Sequence, residues 1–421
     1  MKSCDLLLHS RFCLPVNFQD QFLTNHTIAI KNGAILEIDT TEKIRKTYQA
    51  SEDLDLPNHL IMPGLINNST APPGSDYWGK DYQKEVQPTP PIYSATEKEA
   101  RGINNVKLAT ERFIAKIIKS GTTTFANMSL SNSEILEVSK QFGIRCQIAI
   151  PVMNELNSDF NINKSLNRLL ELHDELKHHP LITIAFGIQG PNSLSPQGAE
   201  KIAVLANEIQ IPIQVIYESS FIIDEHKSGW SKQKSWLNQL EQLGALGPHL
   251  QLVQMDHLKE NELELLQNSG SKIVHCASLA LEKAQGYTPI SKIQNQGISV
   301  GFGLKQTATN DSLNLFSEAN IASLFAKHNE RNSSAISSEE LVQILTMGGA
   351  DVLGIDALTG SIEAGKQADL IAINLENLIF TSKKELLVGL IRETPPSAID
   401  YVFVSGRAIL ENKRLTHSNE N

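Results

Sequence analysis

The sequence predicts a (β/α)8, TIM-like barrel carrying a small β-sandwich assembled from both ends of the chain. Three observations predict it. The middle alternates apolar runs with longer helical stretches, the pattern of βα units feeding a parallel sheet. Both ends read as short strands. The 421 residues allow one large domain plus a small one. Several βα units in a row favour a closed barrel over an open sheet, although periodicity alone does not decide between them. The expected division is a composite β domain over 1–58 and 356–421 and a barrel over 59–355.

Taken in order, Thr27 to Ile38 is two apolar stretches around Lys31-Asn32-Gly33, a hairpin signal. Pro72 to Tyr93 holds five prolines and reads as an irregular loop over the barrel mouth. Ala109 to Lys119 is an amphipathic helix closed by Ser120-Gly121, and the strand Thr122 to Ala126 follows. Further strands are expected over 181–187, 211–216, 250–255, 271–275 and 298–303. Gly360 to Asn374 and Tyr401 to Leu410 are strand-like again, and the polar tail after Leu415 is expected to fray.

The composition is that of an ordinary soluble chain: 41% hydrophobic and 20% charged residues. A net charge of -10 argues against nucleic acid or an anionic membrane as partner. Cys4, Cys13, Cys146 and Cys276 are widely spaced and form no C-x-x-C pair, which points to a reduced, cytoplasmic compartment. The N-terminal apolar run is too short for a signal peptide, and no stretch reaches the length of a membrane span.

The motifs carry the strongest signal. Leu60-Ile-Met-Pro-Gly-Leu-Ile-Asn67, Gly121-Thr-Thr-Thr-Phe-Ala-Asn127, Gly187-Ile-Gln-Gly-Pro-Asn-Ser-Leu-Ser-Pro196, Leu252-Val-Gln-Met-Asp-His-Leu258, Val274-His-Cys-Ala277 and the run from Gly303 to Glu318 follow one another along the chain. This series resembles the amidohydrolase superfamily, in its cytosine-deaminase-like branch with the methylthioadenosine/S-adenosylhomocysteine deaminases and triazine chlorohydrolases. The resemblance implies a metal site at the C-terminal ends of the barrel strands. Its His-x-His pair falls on Ser69 and Ala71, its next metal His on Ile216, another on Gln254, and its metal-binding Asp on Lys305. Substrate and proton-shuttling positions fall on Gln189, Asn192 and Ser219, and the usual Asp after the second strand is Asn127.

None of the five metal positions is a His or a carboxylate, whereas a catalytic zinc needs about three protein ligands. No metal cofactor is therefore expected. One expectation is a non-catalytic homologue binding a small molecule or a protein in the old pocket. The alternative is a hydrolase of carbon–nitrogen bonds other than peptide bonds, of deaminase or chlorohydrolase type, working through a metal-independent site that uses Lys305 with His257 or His275. A working metal-dependent hydrolase is supported by the resemblance but not by the ligand positions. Against these stand plainer readings, in which His257 and His275 are hydrogen-bonded structure and Lys305 fills the vacated metal volume beside Glu218, Asp256 or Asp311. Lys305 is expected at the C-terminal end of a barrel strand, pointing into the cavity where Ser69, Ala71, Ile216 and Gln254 converge. The resemblance also admits a homodimer.

Overall fold

The computed structural model describes residues 1–17, 22–71, 103–129, 132–152, 162–190, 193–217, 231, 235–256, 258–305 and 313–417. Two eight-stranded sheets organise them. The first is mixed and drawn from both termini: β1 (Lys2–Cys13), β2 (Leu23–Lys31), β3 (Ala34–Thr40) and β4 (Tyr48–Pro63) from the start of the chain. The second is parallel and forms a near-closed barrel of β5 (Leu65–Thr70), β6 (Thr122–Met128), β7 (Arg145–Pro151), β8 (Ile182–Gln189), β9 (Ile213–Ile216), β10 (Leu250–Val253), β11 (Lys272–His275) and β12 (Val300–Phe302). The end of the chain returns to the first sheet with β13 (Leu370–Asn374), β14 (Ile399–Val404), β15 (Arg407–Glu411) and β16 (Arg414–Leu415), in the order β16-β15-β14-β13-β4-β1-β2-β3. β4 is long enough to serve the terminal sheet along its length and deliver the chain to the barrel across Gly64.

Alternation along the barrel strands sorts their residues into two rows. Ile148, Ile184, Phe186, Val215, Leu252, Ile273 and Phe302 join the main apolar core with the helices. The other row fills the barrel. Near one end Ile66, Ala126, Ala350 and Leu353 pack together. A buried amide group lies between strands: Gln147 and Gln251 exchange two hydrogen bonds (2.8 and 3.2 Å), and the Gln214 amide donates to the Asn68 carbonyl (3.0 Å). A second apolar cluster joins Met128, Ala149, Ala185, Ile216, Val253, Val274, Cys276 and Leu279.

The ladder of backbone bonds runs β5 to β12 in chain order, and side chains bridge the seam between these two. The Asn67 amide donates to the Leu304 carbonyl (3.0 Å) and accepts from the Leu304 N–H (2.9 Å), copying the two bonds of a peptide neighbour. Glycine is required beside it: a Cβ on Gly301 would sit 2.2 Å from Asn68 Oδ1, and one on Gly303 2.7 Å from Cys276 Sγ.

At the opposite end Arg145, the first residue of β7, ties the barrel to the terminal sheet. Its guanidinium grips Asp369 through Nε (2.8 Å) and Nη2 (3.1 Å) and also reaches the Pro180 carbonyl (2.7 Å) and Ser405 Oγ (3.2 Å). Both partners are buried, so the bidentate pair is shielded from water.

Most expected strands are present: β9 to β12 are shorter than expected, while β6 and β8 each run two residues further at their C-terminal ends. β10 stops at Val253 rather than Met255 because Gln254 takes φ +63° and leaves the extended region. The helix expected from Ala109 starts earlier, at Ile103. β7 lay outside the expected strands; inward-facing Arg145 and Gln147 interrupt its apolar run. The proline-rich stretch 72–93 falls outside the described residues apart from its flank at Ala71. No described helix is long and apolar enough to cross a membrane, and the four cysteines are free and buried.

Candidate active site at the C-terminal strand ends

Functional groups in such a barrel are expected where the strands end at their C-termini. Ser69 is buried near the end of β5, and Ala71 follows the strand half-buried. Asn127, near the end of β6, donates to the Thr70 carbonyl (3.1 Å) and accepts from Ser129 Oγ (3.0 Å), so it stitches β6 to β5. Gln189 ends β8 half-buried. Ile216 ends β9 inside the apolar interior cluster. Asn192, Glu218, Ser219, His257 and Asp311 fall outside the described residues.

Gln254 is the most constrained of the set. It is 1% exposed and holds a left-handed backbone although it is not glycine, a conformation that costs about 1–2 kcal/mol. Its N–H still continues the ladder to the Val274 carbonyl (3.0 Å), and its side-chain amide donates to Gln285 Oε1 (3.1 Å). Its own Oε1 is buried with no hydrogen-bond partner. Asp256, two residues on, is buried and accepts from Thr288 Oγ1 (3.2 Å).

Lys305 follows Leu304, whose backbone the Asn67 amide holds, so the seam sets its position at the mouth of β12. The side chain is half-buried, and its ammonium acts on the Cys276 thiol. Burial pushes that thiol up to about 12, with Lys305 pulling against it. Cys276 belongs to the apolar cluster that also holds Ile216. His275 is placed differently. Val274 and Cys276 face the interior cluster while Ile273 and Phe302 belong to the helix-side core, and the His275 ring lies tilted against Phe302 with centroids 6.4 Å apart. Burial lowers its pKa to about 4, which keeps it neutral.

Glu318 was given no role from the sequence, and the structure brings it into this neighbourhood. It is 1% exposed, in the helix Leu315–Glu330, and accepts from the Ser278 N–H (3.0 Å) just past Cys276. Burial raises its pKa to about 7. The available signal was a carboxylate set among Leu315, Phe316, Ala319 and Ala322, all on the buried face of one helix.

The resemblance implies a zinc ion here, and the residues present do not fit one. The five positions offer a hydroxyl, a methyl, an aliphatic chain in an apolar cluster, an amide engaged with Gln285, and an ammonium. Zinc is held by thiolates, imidazoles and carboxylates. Among the described residues no three His, Cys, Asp or Glu side chains gather around one point. No step is therefore routed through a metal.

An eight-stranded parallel barrel with its polar groups at the C-terminal mouth, beside a sheet built from both termini, places the chain in the class of TIM-like barrel proteins. The sequence matches the amidohydrolase family over residues 96–409, and the chain belongs to that family. It is 30% identical over 415 residues to a 5-methylthioadenosine/S-adenosylhomocysteine deaminase of Saccharophagus degradans, covering 98% of this chain and 92% of the relative. Among solved structures it is similar to an adenosine deaminase of Xanthomonas campestris with bound zinc, at 25% identity and a TM-score of 0.88 over 99% of this chain and 95% of that one. The atrazine chlorohydrolase of Arthrobacter aurescens shares the fold, with 20% identity and a TM-score of 0.85 over 98% and 97% of the two chains.

These similarities correct the expectation of a non-catalytic homologue. They extend over nearly the whole chain, relatives and structural neighbours are named as deaminases and chlorohydrolases, and nothing observed favours an inert scaffold. The physical reason is that ligand positions report how a metal would be held. They do not report whether a pocket reacts.

Proposed function

We propose that this chain is a hydrolase of carbon–nitrogen bonds other than peptide bonds, of the deaminase or chlorohydrolase type. It works at the C-terminal mouth of the barrel without a transition metal, with Lys305 as the charged group of the site. The observation that carries this reading is the 30% identity to a named deaminase over 98% of the chain, since the likeness includes the loops and the terminal sheet as well as the barrel. The position of Lys305 supports it. An ammonium held at the mouth by a rigid seam is a preorganised positive charge, which stabilises negative charge developing on a substrate ring as water adds. Of the two histidines considered as its partners, His275 is turned toward the helix layer, which leaves His257 as the partner we assign.

The test is ammonia release by the purified chain from 5′-methylthioadenosine, S-adenosylhomocysteine and adenosine, with and without chelator. Turnover should survive the chelator and disappear in Lys305→Ala, with the variant still folded by circular dichroism. Absence of ammonia from all three compounds refutes the hydrolase reading. Turnover abolished by chelator and restored by zinc refutes the metal-independent site.

A further inference from the structure

Gln254 occupies a position where the resemblance expects a metal ligand, and its surroundings give it a different task. Three observations converge on it. Its backbone is left-handed at φ +63°, which ends β10 and turns the side chain out of the strand's regular alternation. Its Nε2 is committed to Gln285 Oε1 at 3.1 Å, which fixes which end of the amide remains available. The available end, Oε1, is buried with no hydrogen-bond partner in a side chain that is 1% exposed. Buried acceptors are seldom left unsatisfied, and this one follows the C-terminal end of a barrel strand, the face where ligands bind in such barrels.

We infer that Gln254 is a specificity-determining residue whose Oε1 accepts a hydrogen bond from the amino group of an amino-substituted heteroaromatic substrate. This rests on the hydrolase reading above and deepens it. The reaction is R–NH2 + H2O → R–OH + NH3: the water oxygen bonds to the ring carbon, the carbon–nitrogen bond breaks, ammonia carries away the amino nitrogen, and R–OH settles as its oxo tautomer. Substrate thus presents an N–H donor where product presents a carbonyl acceptor. An acceptor fixed on the protein attracts the first and repels the second, so Gln254 favours substrate over product at one contact. Gln285 is a positioning residue, since its carbonyl holds the Gln254 amide in this orientation.

The experiment measures binding, so it stands apart from turnover. Isothermal titration of the full chain with adenosine and with inosine, its oxo counterpart, gives the two affinities. Adenosine should bind about tenfold or more tightly than inosine, the discrimination expected when one ligand satisfies a buried polar group and the other opposes it. Gln254→Leu should bring the ratio close to one, chiefly by weakening adenosine. Gln285→Leu, which leaves Gln254 in place but frees its amide to rotate, should reduce the ratio in part, and it tests the same contact should Gln254→Leu not fold. A ratio that survives both substitutions, or no binding of adenosine by the unaltered chain, overturns the inference. Discrimination with no ammonia release would leave this contact standing and refute the hydrolase reading.

Discussion

Replacing Glu318 with glutamine removes a titrating group from the core, and its effect on stability should depend on pH. In the folded chain burial raises this carboxyl from its ordinary 4.5 to about 7, against the hydrogen bonds that Ser278 and Ala277 donate to it. Unfolded, it titrates near its ordinary value. Below pH 4.5 both states hold the proton and the group is neutral to stability. Between pH 4.5 and about 7 the unfolded chain releases the proton while the folded chain keeps it, so stability falls as pH rises, by about 1.4 kcal/mol per pH unit. Above pH 7 both states are ionised and the loss stays constant at roughly 3 kcal/mol. The group is fully buried, so solvent does not screen this effect. Glutamine keeps the oxygen that accepts from Ser278 and nearly the same volume, but does not titrate. Urea unfolding of both proteins at pH 5 and pH 8 tests this. Relative to the unaltered chain, Glu318→Gln should gain roughly 2–3 kcal/mol on going from pH 5 to pH 8. A stability difference that is the same at the two pH values would refute the reasoning.

Two further predictions concern the joints of the fold. Asp369→Leu leaves the Arg145 guanidinium buried without its carboxylate and should cost about 3–5 kcal/mol, whereas Arg145→Met combined with Asp369→Leu should recover most of that; denaturant midpoints of the three proteins decide. Asn67→Ala removes both amide bonds to Leu304 and should destabilise the chain by about 2 kcal/mol, with ammonia release lowered further because Lys305 follows Leu304; unchanged turnover would show that the seam does not set the lysine's position.

The overall architecture was legible because it depends on patterns that repeat. Each strand buries one row in the helix-side core, so β8 to β12 announce themselves as apolar runs. β7 was not legible, since Arg145 and Gln147 bond across long distances in the sequence and look locally like surface residues. The residues at the motif positions, Ile216 and Gln254 among them, can be read directly from the sequence beside their flanking motifs. Their consequence was misread, since composition at a motif position does not say whether a neighbouring group supplies charge. Glu318 and the Gln254–Gln285 contact could not be foreseen: a helical glutamate or a glutamine acquires meaning only from what lies against it. His275 shows the converse, as a residue attractive in sequence that strand alternation turns toward the helices.

The Arg145–Asp369 pair has a consequence for how the chain comes into being. Its two members are 224 residues apart, and Ser405 lies 260 beyond Arg145. A ribosome adding about 5–20 residues per second needs roughly 11–45 s to make the first of those gaps. Throughout that interval a nascent barrel would have to hold the third strand's guanidinium in water or leave it unmatched, because its carboxylate does not yet exist. Residues synthesised last thus complete a contact of residues synthesised in the first half, and the barrel's buried end closes only when the tail arrives.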